Sequence, residues 1–109
     1  MKNGLIEYSN GYKEWYKGYK LHREDGPAIE HSNGVKVWYK EDKLHREDGP
    51  AIEYSNGNKF WFKEGKRHRE DGPAIEYVDG CKSYYYYGEK IDCNSTEEFI
   101  RIINLKVFW

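Results

Sequence analysis

Short segments in which apolar and polar residues alternate account for most of the chain. Ala28-Ile29-Glu30-His31 is one such extended segment, and Val35–Lys40, rich in β-branched and aromatic residues, is another. The Asn33-Gly34 pair between them predicts a two-residue hairpin turn, because Asn and Gly tolerate positive φ. Since side chains alternate along a strand, Ile29 and Glu30 are expected on opposite faces. In the return strand Trp38 and Tyr39 likewise point to opposite faces, so the pattern predicts an antiparallel hairpin with aromatic rings on both faces.

A second turn and a third short strand are predicted after each hairpin. The chain is expected to turn at Glu41-Asp42, and Leu44-His45-Arg46 to form a brief strand that ends where Asp48-Gly49-Pro50 breaks it. Units of this kind, stacked in sequence order, predict an elongated antiparallel single-layer sheet in which each unit contacts its neighbours. The predicted fold class is mainly β.

The hairpin recurs at a fixed interval of 23 residues. The interval separates successive starts of the phrase HREDGPAIE and successive tryptophans: His22, His45, His68, Trp15, Trp38 and Trp61. Self-similarity at such a period indicates a structural array. We therefore predict one repeat domain over residues 1–109, with a half repeat at 4–21 and HREDGPA-containing repeats over 22–90.

The C-terminal segment has a different periodicity. Ser95 and Glu98 fit a helix capping box, in which the hydroxyl accepts a backbone N–H and the carboxylate reaches back. Apolar residues then follow at helical spacing, among them Phe99, Ile102 and Ile103. We predict an amphipathic helix over residues 95–106 that packs on the last repeat and caps the array.

Composition adds that the core is built largely from aromatic rings. The 109 residues include 11 Tyr, 4 Trp and 4 Phe, so the chain is expected to fold although 34% of its residues are charged. The net charge of −1 gives no overall attraction to nucleic acid or to an anionic membrane. No signal-peptide or membrane-spanning run is apparent, and Cys81 and Cys93 make neither a metal motif nor a disulfide framework. A reducing cytoplasm is the expected compartment.

The repeat unit resembles a known family. The segment from Trp61 to His68, followed by Gly72, Tyr77 and Gly80, is similar to the MORN repeat, which has the same length and a W-x-N-G-K-x-H-G-x-G…Y-x-x-G pattern. The resemblance covers residues 4 to 88 and implies an antiparallel hairpin array that serves as a scaffold or partner-binding module, with membrane association in some members. An arginine follows each histidine here where MORN repeats have glycine. This HRxDGPA variant resembles small proteins of tailed phages and giant viruses.

The repeated His-Arg-Glu-Asp segment has two interpretations. His, Glu and Asp are all metal ligands, and three copies would stack along one side of the sheet. The structural interpretation is that Asp caps the turn into Gly-Pro, Arg pairs with a Glu, and His packs against Trp. Because an active site needs one special constellation, repetition in every unit favours the structural interpretation.

Aromatic residues and arginines supply the candidate partner-binding surface. Four consecutive tyrosines in a strand must alternate between faces, so some of the rings are expected to face a partner or the capping helix. The tryptophans are either core residues or a stacking platform. The candidate residues are Tyr84, Tyr85, Tyr86, Tyr87, Trp38, Trp61, Arg46 and Arg69.

A row of lysines also follows the 23-residue period. Lys13, Lys36, Lys59 and Lys82 are expected opposite Glu7, Glu30, Glu53 and Glu76 on the paired strands, in cross-strand salt bridges. If the acidic residues lay elsewhere, the row would suit an acidic partner or a phosphate chain.

No catalytic motif is present in the sequence, and no catalytic residue, metal or cofactor is predicted. We expect a non-enzymatic interaction module, a virus-encoded inhibitor that binds a host antiviral-defence protein, such as a nuclease or effector complex, in the host cytoplasm. One alternative is a sponge that sequesters a nucleotide signal between aromatic rings and Arg. Another is a membrane- or phosphoinositide-associated scaffold, which the net charge disfavours. Direct nucleic-acid or membrane contact is not expected, and both monomer and homodimer are left open.

Overall fold

The computed structural model describes residues 3–105. This part of the chain contains fourteen strands, all paired antiparallel, and one helix, joined by turns and loops. The strands are β1 Gly4–Glu7, β2 Lys13–Lys17, β3 Lys20–Leu21, β4 Ile29–Glu30, β5 Lys36–Val37, β6 Tyr39–Lys40, β7 Lys43–Leu44, β8 Ile52–Glu53, β9 Lys59–Phe60, β10 Phe62–Lys63, β11 Lys66–Arg67, β12 Ile75–Glu76, β13 Lys82–Tyr86 and β14 Glu89–Ile91. The helix α1 is Thr96–Leu105.

The strands pair almost in chain order, so the units are stacked along the sheet. Ten strands form one sheet in the order β1-β2-β4-β5-β8-β9-β12-β13-β14, with β3 paired to β2. Two further ribbons, β6-β7 and β10-β11, extend the middle hairpins. The molecule measures 47 × 32 × 17 Å, and its smallest dimension is that of one sheet with loops on it. The predicted elongated antiparallel array is confirmed.

Two kinds of turn connect the strands, and one differs from the prediction. At the first turn, the Gly34 N–H donates to the His31 carbonyl oxygen at 3.0 Å, and Gly34 has a φ of 97°. Asn33 does not adopt positive φ, and its side chain instead accepts the Val35 N–H at 3.2 Å. The Asn-Gly pair is therefore a four-residue turn closed by a glycine bulge, not the expected two-residue turn.

The two-residue hairpin turn occurs at the second connection of each unit. Glu41 and Asp42 have φ angles of 51° and 67°, the left-handed geometry that matches the twist of paired strands. Tyr87 occupies the corresponding place in the last unit, with a φ of 47°. A tyrosine side chain is therefore held at the tip of a tight turn.

The two faces of the sheet have different chemistry. Glu30 is opposite Lys36, and Ile29 is opposite Val37, so the acidic and basic residues share one face and the aliphatic residues share the other. We call these the charged face and the apolar face. The register places the lysine row opposite the glutamate row along the whole array, as predicted: Glu7↔Lys13, Glu30↔Lys13 and Lys36, Glu53↔Lys36 and Lys59, Glu76↔Lys59 and Lys82. The predicted cross-strand salt bridge forms between Lys13 and Glu7, at 3.9 Å, whereas Glu30, Glu53 and Glu76 pair with arginines instead.

The first unit carries a polar cluster on the apolar face. Glu14 stands where the next units have Val37 and Phe60, and its carboxylate accepts hydrogen bonds from Tyr8 at 2.8 Å, Tyr12 at 3.2 Å and Tyr16 at 3.1 Å. Burial, together with the Glu14 charge, raises the pKa of Tyr12 to about 12. The N-terminal unit is thereby distinguished from the units that follow it.

The helix covers the charged face of the last unit, as predicted. Ser95 Oγ accepts the Glu98 N–H at 3.1 Å, so α1 begins with the expected cap. Phe99 is fully buried against Tyr84, with 5.0 Å between ring centroids, and against Ile91. Tyr84 and Ile91 are the residues that replace Trp and His in this unit. The last residue of the predicted helix, Lys106, lies outside the described residues.

Phe99→Ala tests whether the helix is an integral part of the fold. Removing a fully buried ring is expected to lower the free energy of unfolding by about 3–5 kcal/mol, measured by urea denaturation. Ile100→Ala is the control, because Ile100 is exposed on the next position of the same helix. Equal losses for the two variants would show that α1 does not cap the array.

Candidate functional site

Each HREDGP segment folds into a loop that holds its own arginine on the charged face. We call these loop 1 (His22–Pro27), loop 2 (His45–Pro50) and loop 3 (His68–Pro73). In loop 2 the Arg46 guanidinium lies 3.8 Å above the centre of the Trp38 ring. It donates to Asp48 at 3.3 Å, to the Pro50 carbonyl at 3.0 Å and to Glu53 at 2.7 Å. The arginine therefore joins the loop to the strand below it.

Loops 1 and 3 repeat this arrangement. The guanidinium carbons of Arg23 and Arg69 lie 3.8 and 4.0 Å above the Trp15 and Trp61 rings. Both arginines donate to the aspartate of the same loop, at 3.0 and 2.9 Å, and to the proline carbonyl, at 3.1 Å in each. The expected pairing of Arg with a Glu holds, whereas Arg rather than His lies on the tryptophan.

The glycine of each loop is explained by the arginine. A Cβ added at Gly49 would lie 2.8 Å from Arg46 Cζ, closer than two non-bonded carbon atoms approach. Gly26 and Gly72 have the same relation to Arg23 and Arg69, at 2.9 and 2.8 Å. Asp-Gly-Pro therefore forms a cradle for the guanidinium. The Asp carboxylate and the Pro carbonyl accept its hydrogen bonds, and the Gly leaves room for it because it has no Cβ.

The histidine of each loop accepts a hydrogen bond from the next tight turn along the chain, which belongs to the following unit. Nδ1 of His22, His45 and His68 accepts the backbone N–H of the residue 19 positions later, at 3.1, 3.0 and 2.8 Å. All three rings are buried. Because Nδ1 is an acceptor, the neutral ring carries its hydrogen on Nε2. Each histidine is thus a link between consecutive units.

The hydrogen bonding of the histidine Nε2 atom differs between loop 3 and the other two loops. His22 and His45 hydrogen-bond Glu24 and Glu47 at 2.6 and 2.7 Å, and these bonds hold the pKa of both carboxyl groups below the ordinary value. In loop 3 the nearest Glu70 oxygen is 3.5 Å from His68 Nε2, which has no hydrogen-bond partner. Burial lowers the pKa of His68.

Two grooves separate the three loops. The first, between loops 1 and 2, has a volume of about 590 Å³, and the second, between loops 2 and 3, about 460 Å³. A tryptophan edge and a lysine line each groove, Trp38 with Lys40 in the first and Trp61 with Lys63 in the second. The glutamates and aspartates of the loops form the rims. Sequence reasoning interpreted the aspartate as a turn cap and a glutamate as the partner of the arginine, with a metal site as the alternative. The missed signal is that each loop has two acidic residues for one arginine.

The predicted partner-binding tyrosines lie in different environments. Tyr84 is buried beneath the helix, and Tyr86 is half-buried beside the same cluster. Tyr85 is half-buried, with Arg67 5.3 Å from its ring centre. Tyr87 is exposed, and its ring stacks on His68 with 3.9 Å between centroids. The structure thus brings Tyr87 to the edge of loop 3.

The other predicted binding residues lie within the loop contacts already described. Trp38 and Trp61 are half-buried under Arg46 and Arg69, so one face of each ring is covered. The arginine side chains are 22–23% exposed. That these residues bind a partner stays a prediction.

The described residues offer little for nucleophilic or metal chemistry. A hydrogen bond with Asp79 raises the pKa of the exposed Cys81 thiol, and burial raises that of Cys93, so neither favours a thiolate. Among residues 3–105, no group of three or more His, Cys, Asp or Glu side chains is arranged to hold a metal ion. No helix within that range has the length and apolarity needed to cross a bilayer.

Comparison with family models, with curated proteins and with solved structures finds no match to this chain. Its interpretation therefore rests on the residues and their geometry.

Gly49→Ala tests the arginine cradle. Gly49 does not have positive φ, so the new methyl group acts only through its clash with Arg46, and the expected loss of stability is about 1–3 kcal/mol. In an Arg46→Ala background the same substitution should cost almost nothing, because the clashing side chain is gone. Urea denaturation of the four proteins measures the cycle, and additive losses would contradict the cradle.

The stability of the array should decrease in mild acid because of His68. Its folded-state pKa is below the ordinary value of 6.5, so its contribution is present above about pH 6.5 and is lost as the pH falls below that value. Urea midpoints at about pH 7.5 and 5.5 measure the effect. His68→Asn keeps an acceptor near the Tyr87 N–H but cannot be protonated, and should show a smaller decrease. An unchanged decrease would mean that His68 is not responsible.

Proposed function

We propose that the chain is a non-enzymatic protein-interaction module, a MORN-like array that binds a protein partner through its charged face and C-terminal end. One observation carries the proposal: the histidine and arginine of every loop are held by internal contacts, while the carboxylates of the same loops and Tyr87 are exposed. Residues committed to the scaffold are poor candidates for catalysis, and the exposed groups form an extended surface.

The shape of the array supports this proposal. A sheet of 47 × 32 Å, with its loops anchored at each arginine, presents a surface that loses little conformational freedom on binding. The tip of the Tyr87 turn adds an aromatic ring at the end of the loop row, a residue type enriched at the centres of protein interfaces. The hairpin unit of 23 residues supports the MORN-like assignment.

The resemblance of the HRxDGPA unit to phage and giant-virus proteins supports a more specific proposal. On that basis the chain is a virus-encoded inhibitor that acts in the host cytoplasm on an antiviral-defence protein. The partner would be a nuclease or an effector complex.

A second candidate function is a sponge for a nucleotide signal. The two grooves favour it, since each combines a tryptophan edge with an arginine in a volume that accommodates a nucleotide. It ranks second because the arginines are already bonded to carboxylates, and the exposed carboxylates of the rims would repel phosphate.

Capture from a host lysate tests the interaction module. The immobilised protein should retain one stoichiometric partner, identified by mass spectrometry. Tyr87→Asn removes the ring and suits the positive φ, and it should reduce capture about tenfold or more at a temperature at which the variant, although it lacks the stacking on His68, is still folded.

Tyr77→Asn is the matched control. Tyr77 has similar exposure, 41% against 44% for Tyr87, and its ring lies against Phe60 on the apolar face. Capture lost with Tyr77→Asn and kept with Tyr87→Asn would place the interface on the apolar face. Absence of any captured protein, with a nucleotide released on heating the purified chain, would replace the proposed function with the sponge.

A further inference from the structure

The second groove, between loops 2 and 3, presents acidic side chains at its opening. Loops 2 and 3 each contain one arginine and two acidic residues. The carboxylate side chains of Glu47, Asp48, Glu70 and Asp71 are 62–89% exposed, whereas both arginines are largely buried in their cradles. A ligand that enters the groove therefore meets carboxylates first.

The charges of the residues that line the groove are not balanced. Lys63 is 3.9 Å from Glu47, and each arginine is shared by the aspartate of its loop and by a glutamate of the sheet, Glu53 or Glu76. Four carboxylates, from loops 2 and 3, line the groove together with three cations, the two arginines and Lys63, while the glutamates of the sheet lie opposite the lysine row. The excess of negative charge favours a cationic ligand.

His68 adds an unused hydrogen-bond donor to this groove. The ring is 6% exposed and lines the groove, and its Nδ1 already accepts the Tyr87 N–H at 2.8 Å. Nε2–H is consequently a buried donor without a partner, whereas the same atom of His45 is bonded at 2.7 Å in the first groove. A buried donor of this kind favours an uncharged acceptor such as a peptide carbonyl, because the carboxylates around it disfavour an anion.

The spacing of the loops matches an extended chain. Each unit adds two strands to the sheet, so consecutive loops recur about 9–10 Å apart. Three residues of a polyproline II peptide span about the same distance, and because this helix has three residues per turn, every third side chain points to the same side. A peptide that runs along the loop row would therefore bring every third side chain to the next pair of acidic residues.

We propose that the second groove binds an extended segment of a protein partner that has Lys or Arg at every third residue. A backbone carbonyl of the segment accepts the His68 Nε2–H, and successive basic side chains pair with Glu47 and Glu70. This inference rests on the proposed function as an interaction module and specifies the chemistry of the partner.

Titration calorimetry with a synthetic peptide tests the inference without any lysate. The probe is a peptide of roughly twelve residues that repeats Lys-Pro-Ser, which holds the chain extended. Its control has the same composition with the lysines adjacent to one another. The triplet peptide should bind more tightly than the clustered one, and its affinity should fall as salt rises from about 0.1 M to 1 M.

Charge-neutralising variants locate the site. The double variant Glu47→Gln, Glu70→Gln should weaken the triplet peptide between about threefold and tenfold, since two exposed ion pairs are lost. Glu7→Gln changes charge on the same sheet, near its N-terminal edge, and should leave binding unchanged. In the wild-type protein, the NMR resonance of His68 Nε2–H should shift on addition of the triplet peptide.

Four results would overturn the inference. They are equal affinity for the two peptides, equal weakening by Glu7→Gln, an unmoved His68 resonance at saturation, and binding of inorganic phosphate or ADP in place of the peptide. A partner captured from lysate while the triplet peptide fails to bind would reject this groove assignment and retain the proposed function. Failure of lysate capture together with triplet-specific binding would reject the proposed host partner and retain the groove.

Discussion

The stacking of an arginine guanidinium on a tryptophan ring, repeated in three loops, is the contact on which the rest of the structure depends. Such a contact contributes about 0.5–2 kcal/mol, and the hydrogen bonds to Asp and to the proline carbonyl add to it. A single-layer sheet has no second sheet or helical layer that would bury its charged face. The arginine and its loop supply that cover, and the alanine that directly follows each loop is fully buried: Ala28, Ala51 and Ala74.

Cohesion along the array comes from a different residue. Each histidine accepts a hydrogen bond from a backbone N–H of the next unit, so a unit is complete only when its successor is in place. In the last unit Ile91 stands in the histidine position and Tyr84 in the tryptophan position, and Phe99 of the helix packs on both. An apolar cluster therefore replaces the polar link where the repetition ends.

Much of the fold could be predicted because it follows from local patterns. The period, the hairpins, the register of Lys opposite Glu and the capped helix all depend on spacing and on residue type. The turn at Asn33-Gly34 was assigned the wrong geometry because Asn-Gly suits both a two-residue turn and a glycine bulge. The sequence also could not show that Arg rather than His stacks on Trp, because both side chains are planar and both stack on aromatic rings.

The candidate site could not be located from sequence. All three loops have the same six letters, HREDGP, yet His45 is bonded to Glu47 at 2.7 Å and His68 stands 3.5 Å from Glu70. A difference of that size depends on the neighbours of loop 3, the stacked Tyr87 ring among them, rather than on the loop itself.

The near identity of the units has a consequence for how the chain finds its native pairing. A strand that pairs one whole unit out of place would recover the same Lys–Glu register, the same cradle and the same histidine link, so the repeated interactions cannot reject that error. The native pairing is therefore distinguished from the shifted one at the two ends of the array. There, Glu14 with its three tyrosines and Phe99 with Tyr84 form contacts that have no equivalent elsewhere in residues 3–105. Repetition builds the array, and its two unrepeated ends decide which strand is first and which is last.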